Sequence, residues 1–141
     1  MEIRNVEDCF RFRLLREIRP DKEKSLTSLE IARRSLKGAE DASGYKLFKF
    51  AIMESYAAMF HASRALLYRD GIQEKSHFAV YIYLREKYSS SIPSSIINLL
   101  NVHRRERHDA MYGLEYIPTK DDAETSIKDA KAFVREIEKI I

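Results

Sequence analysis

Glycine and proline are scarce in this chain, four and three among 141 residues. They stand singly, at positions 20, 38, 44, 71, 93, 113 and 118, too little turn material for a fold of many short strands. The chain must therefore be made of a few long elements, which points to helices. With 45% hydrophobic residues it can build a real core, and its length fits a single domain over residues 1–141.

The remaining composition removes several function classes. Twenty-five basic against 22 acidic residues give a formal charge of +3, too small to announce nucleic-acid binding on its own. Any partner has to be argued locally. The single cysteine, Cys9, can form no intrachain disulfide, and no Cys/His spacing suits zinc, so neither a metal nor a cofactor is expected. A reducing cytoplasm is the default location. The opening "MEIRNVEDCFRFRLL" is charged throughout, and no apolar run approaches the roughly 18 residues of a membrane span.

Periodicity assigns the elements. Val6, Phe10, Leu14 and Ile18 recur every four residues, which predicts a short amphipathic helix ending before Pro20. A second helix runs from about Asp21 to Asp41, with Leu29, Ala32, Leu36 and Ala39 in one stripe and "ASG" at its end. From Tyr45 to Arg69 the pattern is strongest. Phe48, Ile52, Tyr56, Met59 and Leu66 form one face, and Ala51, Ala58, Ala62 and Ala65 form a narrow stripe that admits a close neighbour. This is the expected central helix, stopped at "RDG" by Gly71. "SHFAVYIYLREKY" is rich in β-branched and aromatic residues, yet Phe78, Tyr81, Ile82 and Arg85 share a helical face and no strand stands ready to pair with it. A helix opening near Ser94 carries Ile96, Leu100, His103, Arg107, Ala110 and Leu114 on one side. The last begins behind Pro118 with a Thr119–Asp122 capping pair and continues through Ile127, Ala130, Val134, Ile137 and Ile141. The expected fold is all-α: an up-and-down bundle of four main helices with an additional short N-terminal helix over residues 1–20.

The stretch "RRERHDAMYG", residues 104–113, concentrates chemistry in three turns of helix. Arg104 and Arg105 with Glu106 read first as a solvated face. Arg107 differs, because its place in the apolar stripe turns it toward a core or interface, where an unpaired guanidinium is costly. Glu54 is a candidate partner. His103, in the same stripe, reads as a satisfied core histidine. Arg104, His108 and Tyr112 are spaced by four and share a face. Tyr45, Tyr56, Tyr68, Tyr81, Tyr83 and Tyr88 read as core or interface residues. Arg4, Arg11, Arg13, Arg16 and Arg19, interleaved with Glu7, Asp8 and Glu17, read as a plain charged face.

Together, "KFAIMESYAAMFHASRALLYRDG", "RHDAMYG" and "DAETSIKDAKAFVREIEKII" resemble the HEPN domain of bacteria and archaea. In particular, they resemble the small stand-alone HEPN proteins that occur beside a minimal nucleotidyltransferase. The resemblance covers about residues 21–141 and is most specific at "LLYRDG" and at Arg107, Ala110, Tyr112 and Gly113. It implies a helical bundle that forms a homodimer, a cleft at the dimer interface lined by the arginine helix, and RNA or a nucleotide as ligand. In many members it implies metal-independent RNA cleavage, often as the toxin of a toxin–antitoxin pair. It further suggests a hydroxyl such as that of Tyr112 as a target for nucleotidyl transfer by the partner.

The catalytic form of that family carries an arginine followed, after four to six residues, by histidine. Counting back from His61, His77, His103 and His108 finds no arginine at those offsets, and after four intervening residues Arg107 is followed by Tyr112. Metal-free cleavage needs a base for the ribose 2′-hydroxyl, a cation for the pentacoordinate phosphate and an acid for the leaving oxygen. Tyrosine, with an ordinary pKa of about 10, is a poor base at neutral pH. Arg107 can still grip a phosphate, with Tyr112 bonding it or stacking on a base, and Arg104 beside them. Three readings follow: a binding module using Arg104, Arg107 and Tyr112; a ribonuclease using Arg107 with Tyr112 or His108; and a protein-interaction bundle without nucleic acid.

Overall fold

In the computed structural model, which describes residues 2–141, the elements run α1 (Val6–Arg11), β1 (Leu15–Glu17), α2 (Lys22–Gly44), α3 (Phe48–Asp70), β2 (Ile72–Glu74), α4 (His77–Lys87), α5 (Ser94–Tyr112) and α6 (Lys120–Glu138). The all-α expectation holds: four long helices carry the fold, α4 packs on α3 and α5, and α1 packs on α4.

The central helix is α3, which touches α2, α4, α5, α6 and β2. Its composition explains the position. Ala51, Ala58, Ala62 and Ala65 are wholly buried, and the missing bulk lets α2 come close enough for Ser25 Oγ to donate to the Ala65 carbonyl at 2.6 Å. Around the other side Ile52, Tyr56, Met59 and Leu66 fill the core. Phe133, Val134 and Ile137 of α6 join that core, each such side chain worth about 1.5–3 kcal/mol of burial. The α6 start is as expected: Asp122 N donates to Thr119 Oγ1 (3.2 Å) and Thr119 N to Asp122 Oδ2 (2.9 Å), a reciprocal cap.

The N-terminal expectation fails beyond Arg11. Instead of continuing through Ile18, α1 closes with Leu14 N bonded to Cys9 O and Arg13 N to Phe10 O, while Arg13 takes a left-handed φ of 59°. That is a Schellman close, with arginine where glycine is usual. The freed chain becomes β1, antiparallel to β2 with Leu15 opposite Glu74 and Glu17 opposite Ile72. Leu14 and Ile18 thus share an i, i+4 spacing without sharing a helix. The same device ends α2: Leu47 N reaches Ala42 O, Lys46 N reaches Ser43 O, and Lys46 has φ 61°. Helix α2 therefore absorbs "ASG", and Tyr45, expected to begin the central helix, caps α2 instead. At the end of α3 Gly71 does fill the left-handed position, φ 82°.

Two further differences concern faces. Arg85 keeps the face it shares with Tyr81, its guanidinium carbon 5.4 Å from that ring, but is itself exposed, while Ala79 to Leu84 are buried around every side of α4. Leu114, placed by periodicity on the inner face of the arginine helix, is fully exposed, since α5 stops at Tyr112. The stop is local: Gly113 N donates to Asp109 O at 2.7 Å, and a Cβ at Gly113 would stand 2.6 Å from that oxygen. No helix among the described residues is long and apolar enough to cross a membrane.

Candidate functional site

The basic stretch occupies the second half of α5, and the helix sorts its side chains into three directions. Toward α6 points His103. It is buried, its Nε2 lies 2.8 Å from Asp129 Oδ2, and its Nδ1 stands 3.5 Å from Glu106 Oε1, an ionic contact too long for a good hydrogen bond. Glu106 in turn accepts from Ser126 Oγ at 2.6 Å. Burial depresses the His103 pKa, but the Glu106 and Asp129 carboxylates outweigh it and the net shift is upward. Glu106 is held below its ordinary value, chiefly by His103. The core-histidine reading of His103 therefore holds for its burial and for Nε2, though Nδ1 is left with the longer ionic contact alone, and the residue acts as a latch between α5 and α6. Glu106 belongs to that latch rather than to a solvated face with Arg104 and Arg105.

Toward α3 and α4 point Arg104 and Arg107. The Arg107 guanidinium carbon lies 5.7 Å from the centre of the Tyr56 ring, and that of Arg104 lies 5.3 Å from the Phe78 ring. Arg104 also donates through Nε and Nη2 to Asn101 Oδ1, at 3.1 and 2.9 Å. Neither arginine has a carboxylate within 4.0 Å among the described residues. The expected Arg107–Glu54 pair is absent. Glu54 turns instead to α2, where its Oε2 would lie 3.1 Å from a Cβ on Gly38. Two positions on a helix differ by about 200°, so Tyr56 and Glu54 face opposite ways.

Outward point His108 and Tyr112, ring centroids 5.0 Å apart and both exposed. Tyr112 is five positions beyond Arg107, about 140° around the helix. The structure thus divides the sequence-predicted set: Arg104 and Arg107 lie on the aromatic floor, and His108 and Tyr112 lie on the neighbouring face.

The floor brings in His77, which the spacing rule rejected, beside Tyr56, Phe60 and Arg64. Tyr56 Oη lies 2.8 Å from His77 Nδ1, and the His77 ring lies flat on Phe60 with centroids 4.0 Å apart and planes 8° apart. Arg64 stands over Phe60 at 5.6 Å and makes a close ionic contact to Glu74, Nε to Oε1 2.7 Å, with its N–H out of line with the oxygen. Burial and then the Arg107, Arg104, Arg64 and His61 charges hold the His77 pKa below its ordinary value. Burial raises that of Tyr56, against the pull of Arg104 and Arg107, so this hydroxyl keeps its proton. A cation-rich surface floored with aromatic rings is suited to phosphate oxygens and to flat nucleobases. No group of three or more His, Cys, Asp and Glu placed to hold a metal occurs among the described residues.

Comparison with known proteins bears on most of the chain. The HEPN domain family model matches residues 26–140. A curated protein of Methanocaldococcus jannaschii, named "Putative toxin MJ0605", is 29% identical over 122 residues, covering 80% of this chain and 85% of its own. The match begins inside α2, so α1 and β1 lie outside it, although Val6, Cys9 and Leu15 are part of the core.

Proposed function

Since the chain belongs to the HEPN domain family, we propose that it binds RNA or a nucleotide through Arg104, Arg107 and Tyr112, as the toxin-like member of a pair with a minimal nucleotidyltransferase. One observation carries the binding reading: two guanidinium groups lie on aromatic rings with no carboxylate to neutralise them. A structural arginine in a half-buried setting ordinarily has an acidic partner, whereas an aromatic shelf orients Arg107 without competing for its N–H groups; Arg104 gives two of its five N–H groups to Asn101 and keeps the rest. Tyr112, 63% exposed, stands at the end of the same helix, at the rim of the surface a second copy would cover, where its ring can still stack on a base.

The homodimer belongs to the same proposal. Val102, Tyr112, Leu114 and Ile117 expose large apolar surface along and beyond α5, which a second copy of the chain would cover. That would bring two arginine helices to one cleft. The name of the archaeal relative supports the toxin context, and an adjacent minimal nucleotidyltransferase reading frame would support the pairing.

Titration of a fluorescent single-stranded oligoribonucleotide tests the binding reading. Wild type binds, and Arg107→Ala weakens binding about tenfold, the loss of one charge-assisted contact. No binding by the wild type would leave the protein-interaction bundle as the remaining reading. The His108–Tyr112 contact, which begins one residue beyond Arg107, favours a second reading in which the face also cleaves RNA without metal. Incubation with RNA in EDTA decides it: no cleavage, or cleavage undiminished in Arg107→Ala, sinks it.

A further inference from the structure

Resting on that reading of the arginine face, we infer that His77 and Tyr56 belong to the same phosphate site, His77 being a proton-linked contact for a phosphodiester oxygen. The imidazole that the arginine helix lacks at the expected spacing is supplied here from a different helix. His77 opens α4, Tyr56 lies mid-way along α3, and Arg104 and Arg107 come from α5, so three helices converge on one patch.

The ring is already oriented. Stacking on Phe60 fixes its plane and the 2.8 Å bond to Tyr56 fixes its rotation about that plane. The Tyr56 hydroxyl, which keeps its proton, is placed to donate to Nδ1 of the neutral ring in the tautomer that carries its hydrogen on Nε2. Nε2 has no protein partner among the described residues and is the nitrogen left for a ligand. A histidine held only for packing has no need of two orthogonal constraints on a surface residue.

The surrounding charge is net positive. From α3 come His61 and Arg64, the latter shared with Glu74 of β2, and from α5 come Arg104 and Arg107. The start of α4 adds the positive end of its own dipole. In the free protein these groups oppose a proton on His77. A phosphodiester supplies the absent negative charge, so its arrival favours uptake of one proton from solvent. The imidazolium then donates from Nε2 to the phosphate oxygen and from Nδ1 to Tyr56 Oη, the hydroxyl turning from donor to acceptor. Binding and protonation are linked, and affinity rises as the pH falls.

The test has two arms. In the first, a single-stranded oligoribonucleotide is titrated between about pH 8 and about pH 5.5, the range in which histidine titrates. Wild-type affinity is expected to rise severalfold on acidification; His77→Gln is expected to bind at all pH values about as wild type does at the alkaline end. Arg107→Ala weakens binding throughout. A pH dependence in His77→Gln equal to that of wild type overturns the inference while leaving the arginine reading intact. In the second arm, the wild-type His77 ring is followed by NMR with excess dimethyl phosphate, a single-charged diester that does not titrate in this range. An upward pKa shift, lost in Arg107→Ala, is expected. No shift overturns the inference even where RNA binds, and a shift without RNA binding keeps the phosphate site while discarding RNA as its ligand. Should His77→Gln not fold, the second arm decides alone.

Discussion

The hydroxyl of Tyr56 and Nδ1 of His77 stand 2.8 Å apart, joining α3 to the first turn of α4 across 21 positions of sequence. Replacing Tyr56 by Phe removes this bond and leaves the ring that carries Arg107. The expected cost in chemical denaturation is about 0.5–1.5 kcal/mol, with the helical content unchanged. A cost near zero would mean that the bond contributes nothing to docking α4.

His103 gives the stability a pH signature. Its pKa is raised in the folded chain, so its contribution is fully present below the unfolded value of about 6.5 and is lost as the pH rises through the folded value. Glu106 is shifted down, so its contribution is present above about 4.5 and is lost as the pH falls through its folded value. The α5–α6 latch is therefore strongest between about pH 4.5 and 6.5. His61 and His77, both shifted down, act oppositely below 6.5, so the comparison is with His103→Gln rather than with the raw curve. The stability difference between wild type and His103→Gln is expected to shrink as the pH is raised above 6.5. A difference that stays flat with pH would show that His103 is held by packing alone.

The small-residue stripe of α3 is a packing requirement. Ala62 and Ala65 are wholly buried where α2 approaches closely enough for the Ser25–Ala65 bond. Ala62→Leu has no space to occupy and is expected to destabilise by about 1–3 kcal/mol in denaturant unfolding. A neutral effect would mean that the interface relaxes freely there.

Metal removal is expected to leave RNA affinity unchanged. Around the aromatic floor stand Arg64, paired with Glu74, and Arg104, Arg107, His61 and His77, a net basic set that repels a cation instead of holding one. Titrations with and without EDTA check this directly, and a loss of binding in EDTA would place the ligand contact elsewhere.

How much of this was legible in the sequence depends on the range of each signal. The helices were legible because their apolar periods are local, as in Ala130, Val134 and Ile137, all buried on α6. The ends of α1 and α2 were not, because Arg13 and Lys46 occupy left-handed positions that glycine normally advertises. The three-residue strands were too short to show any alternation. In the site, the half-buried position of Arg107 followed from its stripe, but its neighbour did not: Glu54 and Tyr56 are two residues apart and point in opposite directions. His77 was rejected by counting along one helix, a rule blind to an imidazole delivered by another. A lone Ser76–His77 pair after "GIQEK" carries no local sign of what it will face.

The central claim is that the unpaired arginines on α5 meet phosphate. It is tested most directly by the salt dependence of oligoribonucleotide affinity, compared between wild type and Arg107→Ala. The slope of log affinity against log salt is expected to be negative in wild type and to lose roughly 0.7 in magnitude in the variant, one single-strand phosphate contact. An unchanged slope and affinity in Arg107→Ala would contradict the account.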